Sequence, residues 1–278
     1  MTSGPEARTE SGHGLYLYGI VPAGTAIGQP PDGVEPSAGP FLIEYSRVAA
    51  VVSVVSLEEF GEEGLKANLE QQQWLEACAR AHENVLEHAL EMSAVLPARL
   101  ATVYTDEKHV RRLLEREHDS LAAQLEELRD KREWGVKGFI DDDKLLGWLE
   151  GSDDELSRLR AGNEPTKAGA AYLARKKYDL LARERAGELK ARCADTIHSA
   201  LSAEADEAQR KATRTNALTR DADEIFLNGA YLVGRADEET FRATLRELAG
   251  RHESLGVRLD LTGPWPAYSF VTAVGKAE

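Results

Sequence analysis

At 278 residues with a formal charge of −14, the chain is large enough for two domains and repels phosphate backbones and anionic headgroups unless its basic residues gather on one face. No nucleic-acid partner and no lipid membrane partner are expected on that ground. The only two cysteines, Cys78 and Cys193, are far apart, which argues against a disulfide framework or a cysteine zinc site and fits a reducing, cytoplasmic setting.

Residues 1–13 carry no apolar stretch for a signal peptide and read as a disordered tail. Gly14 to Pro22, GLYLYGIVP, concentrates β-forming residues and stops at a Pro-Ala-Gly turn, so a buried strand is expected. The Gly/Pro-rich segment before Phe41 reads as loop. FLIEYSRVAAVVSVVS then has two β-rich runs around Tyr45-Ser46-Arg47, a hairpin or a kinked strand pair. Leu65, Leu69, Leu75, Cys78, His82, Val85, Ala89 and Met92 follow a helical period and predict one long amphipathic helix. Ala94 to Tyr104, AVLPARLATVY, reads as a strand with Pro97 at an edge or an end. Thr105 and Asp106 are candidate caps for a helix whose apolar side is Val110, Leu113, Leu114, Leu121, Leu125 and Leu128. Residues 14–132 thus read as an N-terminal α/β domain, a mixed sheet packed by long helices.

Residues 133–278 read as a second domain. Glu133 to Ile140, EWGVKGFI, predicts a strand, DDDKLLGWLEG a short helix, and SDDELSRLRAG a helix with Ser152 and Glu155 at capping-box spacing. Asn163 to Ala212 follows as one very long helical pattern with Leu173, Leu180, Leu189, Cys193, Ile197 and Leu201 as its apolar stripe. EIFLNGAYLVG contains Asn228-Gly229, the strongest short hairpin signal, and precedes a helix and the strand VRLDLTG. The resulting order β, α, β, β, α, β is that of a ferredoxin-like domain with a long helical insertion. The fold class is α+β, two α/β domains.

Catalytic signals are weak. The seven histidines include no His-x-x-x-His pair, and no Cys-x-x-Cys, P-loop, dinucleotide fingerprint or nucleophile elbow occurs. His82 falls on an apolar stripe beside Glu83, where a buried, hydrogen-bonded histidine is preferred over a general base. Asp141, Asp142 and Asp143 suit the positive end of a helix dipole better than a Mg²⁺ site. The densest basic stretch, Ala174 to Arg192, is interleaved with Asp179, Glu184 and Glu188 and reads as a solvated helix face. A non-catalytic protein is the leading class, with no cofactor and no metal.

Leu261 to Val271, LTGPWPAYSFV, is too structured in composition for a ragged end. Gly263-Pro264 is expected to end a strand, Pro266 to hold Trp265 extended, and AYSFV to resume β alternation with Tyr268 and Phe270 on one face. The stretch reads as a rigid corner returning the chain end across the domain, a lid on the core or an exposed aromatic docking patch.

GLYLYGIVPA, VLPARLATVY, EWGVKGFI, GAAYLARKK, NGAYLV and LTGPWPAYSF occur in the order and with the spacing of the gas vesicle accessory proteins of the GvpF/GvpL family, which the chain resembles from Gly14 to Val271. Ala101 stands where that family often has Gly, and Ala267 where a further Pro is common; both substitutions are expected to relax a turn. The resemblance implies a non-catalytic gas vesicle assembly protein, located in the cytoplasm with gas vesicles or their assembly intermediates. Its implied partners are the major gas vesicle shell protein, whose hydrophobic subunit it would bind and help to assemble, and other gas vesicle accessory proteins. Strand addition to a sheet edge and helix docking in a groove are both open to it. A minor structural component retained in the vesicle and a ligand-binding regulatory module are the alternatives. Arg99, Trp134, Trp265 and Tyr268 are the candidate partner-binding residues, because Arg, Trp and Tyr most often dominate interfaces. Arg99 pairing with a helix carboxylate and Trp134 anchoring a core are their structural readings.

Overall fold

The computed structural model describes residues 12–161, 168–213, 223–272 and 274–275. It divides into two compact units, residues 1–133 with 264–278, and residues 134–263. The closing residues therefore group with the first unit, whereas chain order alone assigns them to the second. Most of the expected disordered tail, residues 1–11, and the expected helical residues 163–167 lie outside the described residues.

The first unit contains β1 (His13–Pro22), β2 (Phe41–Tyr45), β3 (Val48–Ser56), α1 (Leu57–Phe60), α2 (Glu62–Asn68), α3 (Gln72–Met92), β4 (Leu96–Pro97), β5 (Val103–Tyr104) and α4 (Glu107–Glu127). Its five-stranded sheet runs β2-β3-β1-β4, with β5 also paired to β1. These strand pairs are antiparallel, and the parallel component is the isolated bridge between Ala98 and Val274. Gly14 to Val21 is buried throughout, as a strand covered on both faces must be. Tyr16 and Tyr18, two apart and so on one face, join Cys78, Val85, Leu86 and Ala89 of α3 in one core, and α4 packs on β1, β2 and β3. Gly19 is required where β1 meets β4, because a Cβ there would lie 2.7 Å from the Leu96 carbonyl oxygen. The turn Ser46-Arg47 is a hairpin with Ser46 at φ 53°.

Two expectations change here. The helix expected from Leu65 onward is broken between α2 and α3, where Gln71 is extended. Leu69 is 44 % exposed there, so the stripe has nothing to pack against at the break. AVLPARLATVY is two short strands separated by a turn, not one strand.

The second unit is built on β6 (Lys131–Asp141), α5 (Asp142–Ser152), α6 (Asp154–Ala161), α7 (Ala168–Ser202), β7 (Glu207–Arg210), β8 (Asp223–Gly234), α8 (Glu238–His252), a 3₁₀ turn (Glu253–Leu255) and β9 (Val257–Trp265). The sheet order β7-β8-β6-β9 interleaves two crossings, β6 to β7 over β8 and β8 to β9 over β6. That is the split βαβ, ferredoxin-like arrangement the order of elements predicts, with α5, α6 and α7 where a single helix would suffice. Asp141 caps α5 by accepting from the amides of Asp143 and Lys144, as Asp106 caps α4 by accepting from His109. The cap of α6 is Asp153 rather than Ser152, since its Oδ1 accepts from Glu155 and Leu156.

The hairpin of this unit is displaced from its expected place. β7 is the exposed segment EAQR, helix-favouring in sequence but paired from Glu207 with Leu232 to Arg210 with Gly229. Tertiary pairing overrides local propensity there. Asn228-Gly229 lies inside β8, where the glycine makes room for the Tyr231 ring: a Cβ would approach that ring to 2.7 Å. Tyr231 is fully buried and bonded to His198 Nδ1 at 2.9 Å, so the ring has little freedom to yield. Leu173 and Leu180 also depart from expectation, being 65 % and 61 % exposed, while Leu189, Cys193, Ile197 and Leu201 are buried.

Candidate functional site

The candidate site lies in the first unit, where residues 97–102 meet the closing stretch. Beneath them runs a buried polar cluster. Tyr16 Oη lies 3.0 Å from His82 Nδ1 and accepts from the Ala101 amide at 3.0 Å. Tyr18 Oη lies 2.9 Å from Ser53 Oγ and accepts from the Val34 amide at 2.9 Å. The rings of Tyr18 and His82 stack at 5.7 Å. Burial lowers His82 from 6.5 to about 4 and raises the thiol of Cys78 and both tyrosines. A neutral imidazole whose Nδ1 faces a tyrosine hydroxyl, next to a protonated thiol, is a brace for a loop and lacks an activated nucleophile.

The braced loop has an unusual backbone. Ala101 adopts φ 62°, the left-handed conformation that favours glycine. The bond from its amide to Tyr16 holds the turn in this conformation. Arg99 stands in this loop with its side chain exposed and in no ion pair among the described residues. Its amide donates to Val274 O at 3.4 Å, and its carbonyl accepts from Thr102 N and Oγ1.

The closing stretch is anchored by two carboxylates. Glu133, 4 % exposed, accepts from Ser269 N at 2.7 Å and Ser269 Oγ at 2.6 Å. Glu83 Oε1 accepts from Tyr268 Oη at 2.8 Å. Burial raises the Glu83 carboxyl, and burial followed by the Glu83 charge raises Tyr268. Val274 then donates to Pro97 O and bridges Ala98 at the sheet edge.

Sequence reasoning misplaces part of this segment. AYSFV is a turn, with Tyr268 N bonded to Pro266 O and Phe270 N to Ala267 O, because the Ser269 bonds to Glu133 replace the strand ladder it would otherwise need. The preceding strand also runs through Gly263-Pro264 to Trp265. The structure leaves Tyr268 38 % exposed and Trp265 half-buried. Trp134 lies elsewhere, 2 % exposed in the core of the second unit with the Arg242 guanidinium 4.5 Å above its ring, so its indole is closed to a partner in this conformation. Glu83 and Glu133 have no motif that could have singled them out; only the fold brings them to the chain end.

Among the described residues, no group of three or more His, Cys, Asp or Glu could hold a metal ion, and no helix is long and apolar enough to cross a membrane. A model of the gas vesicle synthesis protein GvpL/GvpF family matches residues 14–272. The chain belongs to that family. Gas vesicle protein L of Streptomyces sp. (strain CB03234) is 32 % identical over 252 residues, 88 % of this chain and 90 % of that protein. Gas vesicle protein F of the same strain is 30 % identical over 193 residues, 69 % of this chain and 76 % of that one. The crystal structure of gas vesicle protein GvpF from Anabaena sp. PCC7120 shares the fold with a TM-score of 0.72 at 21 % identity, over 94 % of this chain and 99 % of that chain.

Two predictions test this candidate site. Ala101→Gly should raise stability in urea unfolding by about 0.5–1 kcal/mol, since relief of a left-handed alanine outweighs the added chain freedom. The second concerns pH. His82 titrates at about 4 when folded against 6.5 when unfolded, so its contribution is complete above pH 6.5 and is lost as pH falls toward 4. That loss reaches about 3 kcal/mol, offset in part by the raised Glu83 carboxyl, which favours the folded state in acid. His82→Gln should lower stability at neutral pH and flatten the slope of unfolding free energy across this window.

Proposed function

We propose that the chain is a non-catalytic gas vesicle assembly protein that binds the hydrophobic shell subunit and helps its assembly. Family membership over residues 14–272 carries the reading as far as gas vesicle synthesis. The further step to shell binding rests on the anchored closing stretch. The buried Glu133 and the half-buried Glu83 fix it, yet Tyr268 stays 38 % exposed. An aromatic that is already immobilised loses little entropy when it docks, which is what an interface anchor requires.

Arg99, Trp265 and Tyr268 are the residues we assign to this contact, with Trp134 acting from the core as support for the second unit. A shell subunit that exposes apolar surface before polymerising would be kept dispersed by an acidic carrier. In this reading the chain works in the cytoplasm on assembly intermediates, and residues 264–275 work with the N-terminal domain.

Co-expression of the major shell protein with this chain, followed by affinity capture and size exclusion, tests the proposal. The shell protein should move into a soluble complex that it does not form alone. Tyr268→Ala and Arg99→Ala should each weaken capture severalfold, whereas Tyr268→Phe, which keeps the ring and loses only the bond to Glu83, should retain it. A shell protein that stays insoluble and uncaptured would overturn the proposal.

A further inference from the structure

The basic stretch of α7 carries an apolar face that the fold does not use. Ala182, Leu189, Cys193, Ile197 and Leu201 turn into the core, so side chains half a turn away point to solvent. Among these are Leu173 and Leu180, seven residues apart and therefore on the same side, with the exposed Tyr172 about 100° round the helix from Leu173. Single exposed leucines are ordinary, but a row of apolar side chains along one helix face is the pattern of a contact.

The charges around the row separate into two sets. Lys177, Arg185 and Lys190 are engaged by Glu155, Asp153 and Asp142 at 3.3, 3.2 and 2.8 Å. Arg175, Lys176 and Arg183 are exposed and form no ion pair among the described residues. Arg175, seven residues before the buried Ala182, lies on the core side of the helix, so in a chain of net charge −14 the cations left beside the outward leucines are Lys176 and Arg183.

We propose that the outward face of α7 from Tyr172 to Arg183 docks an acidic amphipathic helix of another protein. Leu173 and Leu180 would form the ridge against its apolar side, and Lys176 and Arg183, which flank Leu180 one turn before and after it, would meet its carboxylates, a helix-on-helix contact with axes roughly 8–10 Å apart. Charge selects this occupant. A second copy of the chain docking through the same face would set cations against cations. The exposed Asp179 and Glu184 interrupt the basic surface, which disfavours a continuous polyanion or an anionic membrane. The proposal goes beyond shell-subunit binding and stands independently of it, since it involves the second unit alone.

The probe is a fluorescently labelled synthetic amphipathic helix of leucine and glutamate, compared with the same peptide carrying lysine for glutamate, in anisotropy titrations against the full chain. The glutamate peptide should bind in a salt-sensitive manner, and the lysine peptide should not. K176E/R183E and, separately, L180E should each weaken binding by about tenfold or more, with unfolding midpoints unchanged because these side chains are exposed. Failure of the glutamate peptide to bind, or binding indifferent to both variants, overturns the proposal. So does sedimentation showing a dimer that L180E dissolves, which would make the occupant a second copy. Pelleting with phosphatidylserine vesicles that K176E/R183E abolishes would make it a membrane and overturn the proposal equally.

Discussion

The buried carboxylate of Glu133 ties the chain end to the start of the sixth strand within the first unit. At 4 % exposure it accepts both the amide and the hydroxyl of Ser269, and a buried acceptor left without such donors would cost more than an ordinary hydrogen bond contributes. Residues far apart in sequence are thereby fixed to one another. Once Ser269 is held, Tyr268 reaches Glu83 and Val274 reaches the sheet edge at Ala98. The Arg99 loop then lies between the chain end on one side and the Tyr16 hydroxyl on the other.

This arrangement accounts for features that look costly in isolation. Ala101 tolerates φ 62° because its amide is fastened to Tyr16, and burial keeps His82, which faces the Tyr16 hydroxyl, neutral. The buried polar groups specify one conformation for a loop that would otherwise have several. A braced loop and an anchored aromatic turn on the same unit are well suited to bind a partner, and this is the basis of the proposed contact with the shell subunit.

Much of the fold is legible in the sequence where local signals and tertiary demands agree. The uninterrupted β-formers of Gly14 to Val21 require cover on both faces and have it; Asp106 and Asp141 cap the helices they precede. The ferredoxin-like order of the second unit follows from element order alone. Legibility fails where a distant partner decides. EAQR is a strand because Leu232 to Gly229 lies alongside it, and Gly229 serves a buried ring instead of a turn. AYSFV is a turn because Glu133 claims Ser269. The candidate site is legible only in part: Arg99, Trp265 and Tyr268 follow from residue type, but the carboxylates that anchor the stretch have no local signature. Leu173 and Leu180 fit a helical stripe in sequence, and only packing reveals that this part of the stripe faces outward.

Hydrogen exchange of the full chain, alone and loaded with the shell subunit, reads the central claim most directly. Slower exchange on loading, concentrated in residues 97–104 and 264–275, is the result this account predicts. A complex that forms with these two segments unchanged, and with protection placed elsewhere, would contradict it.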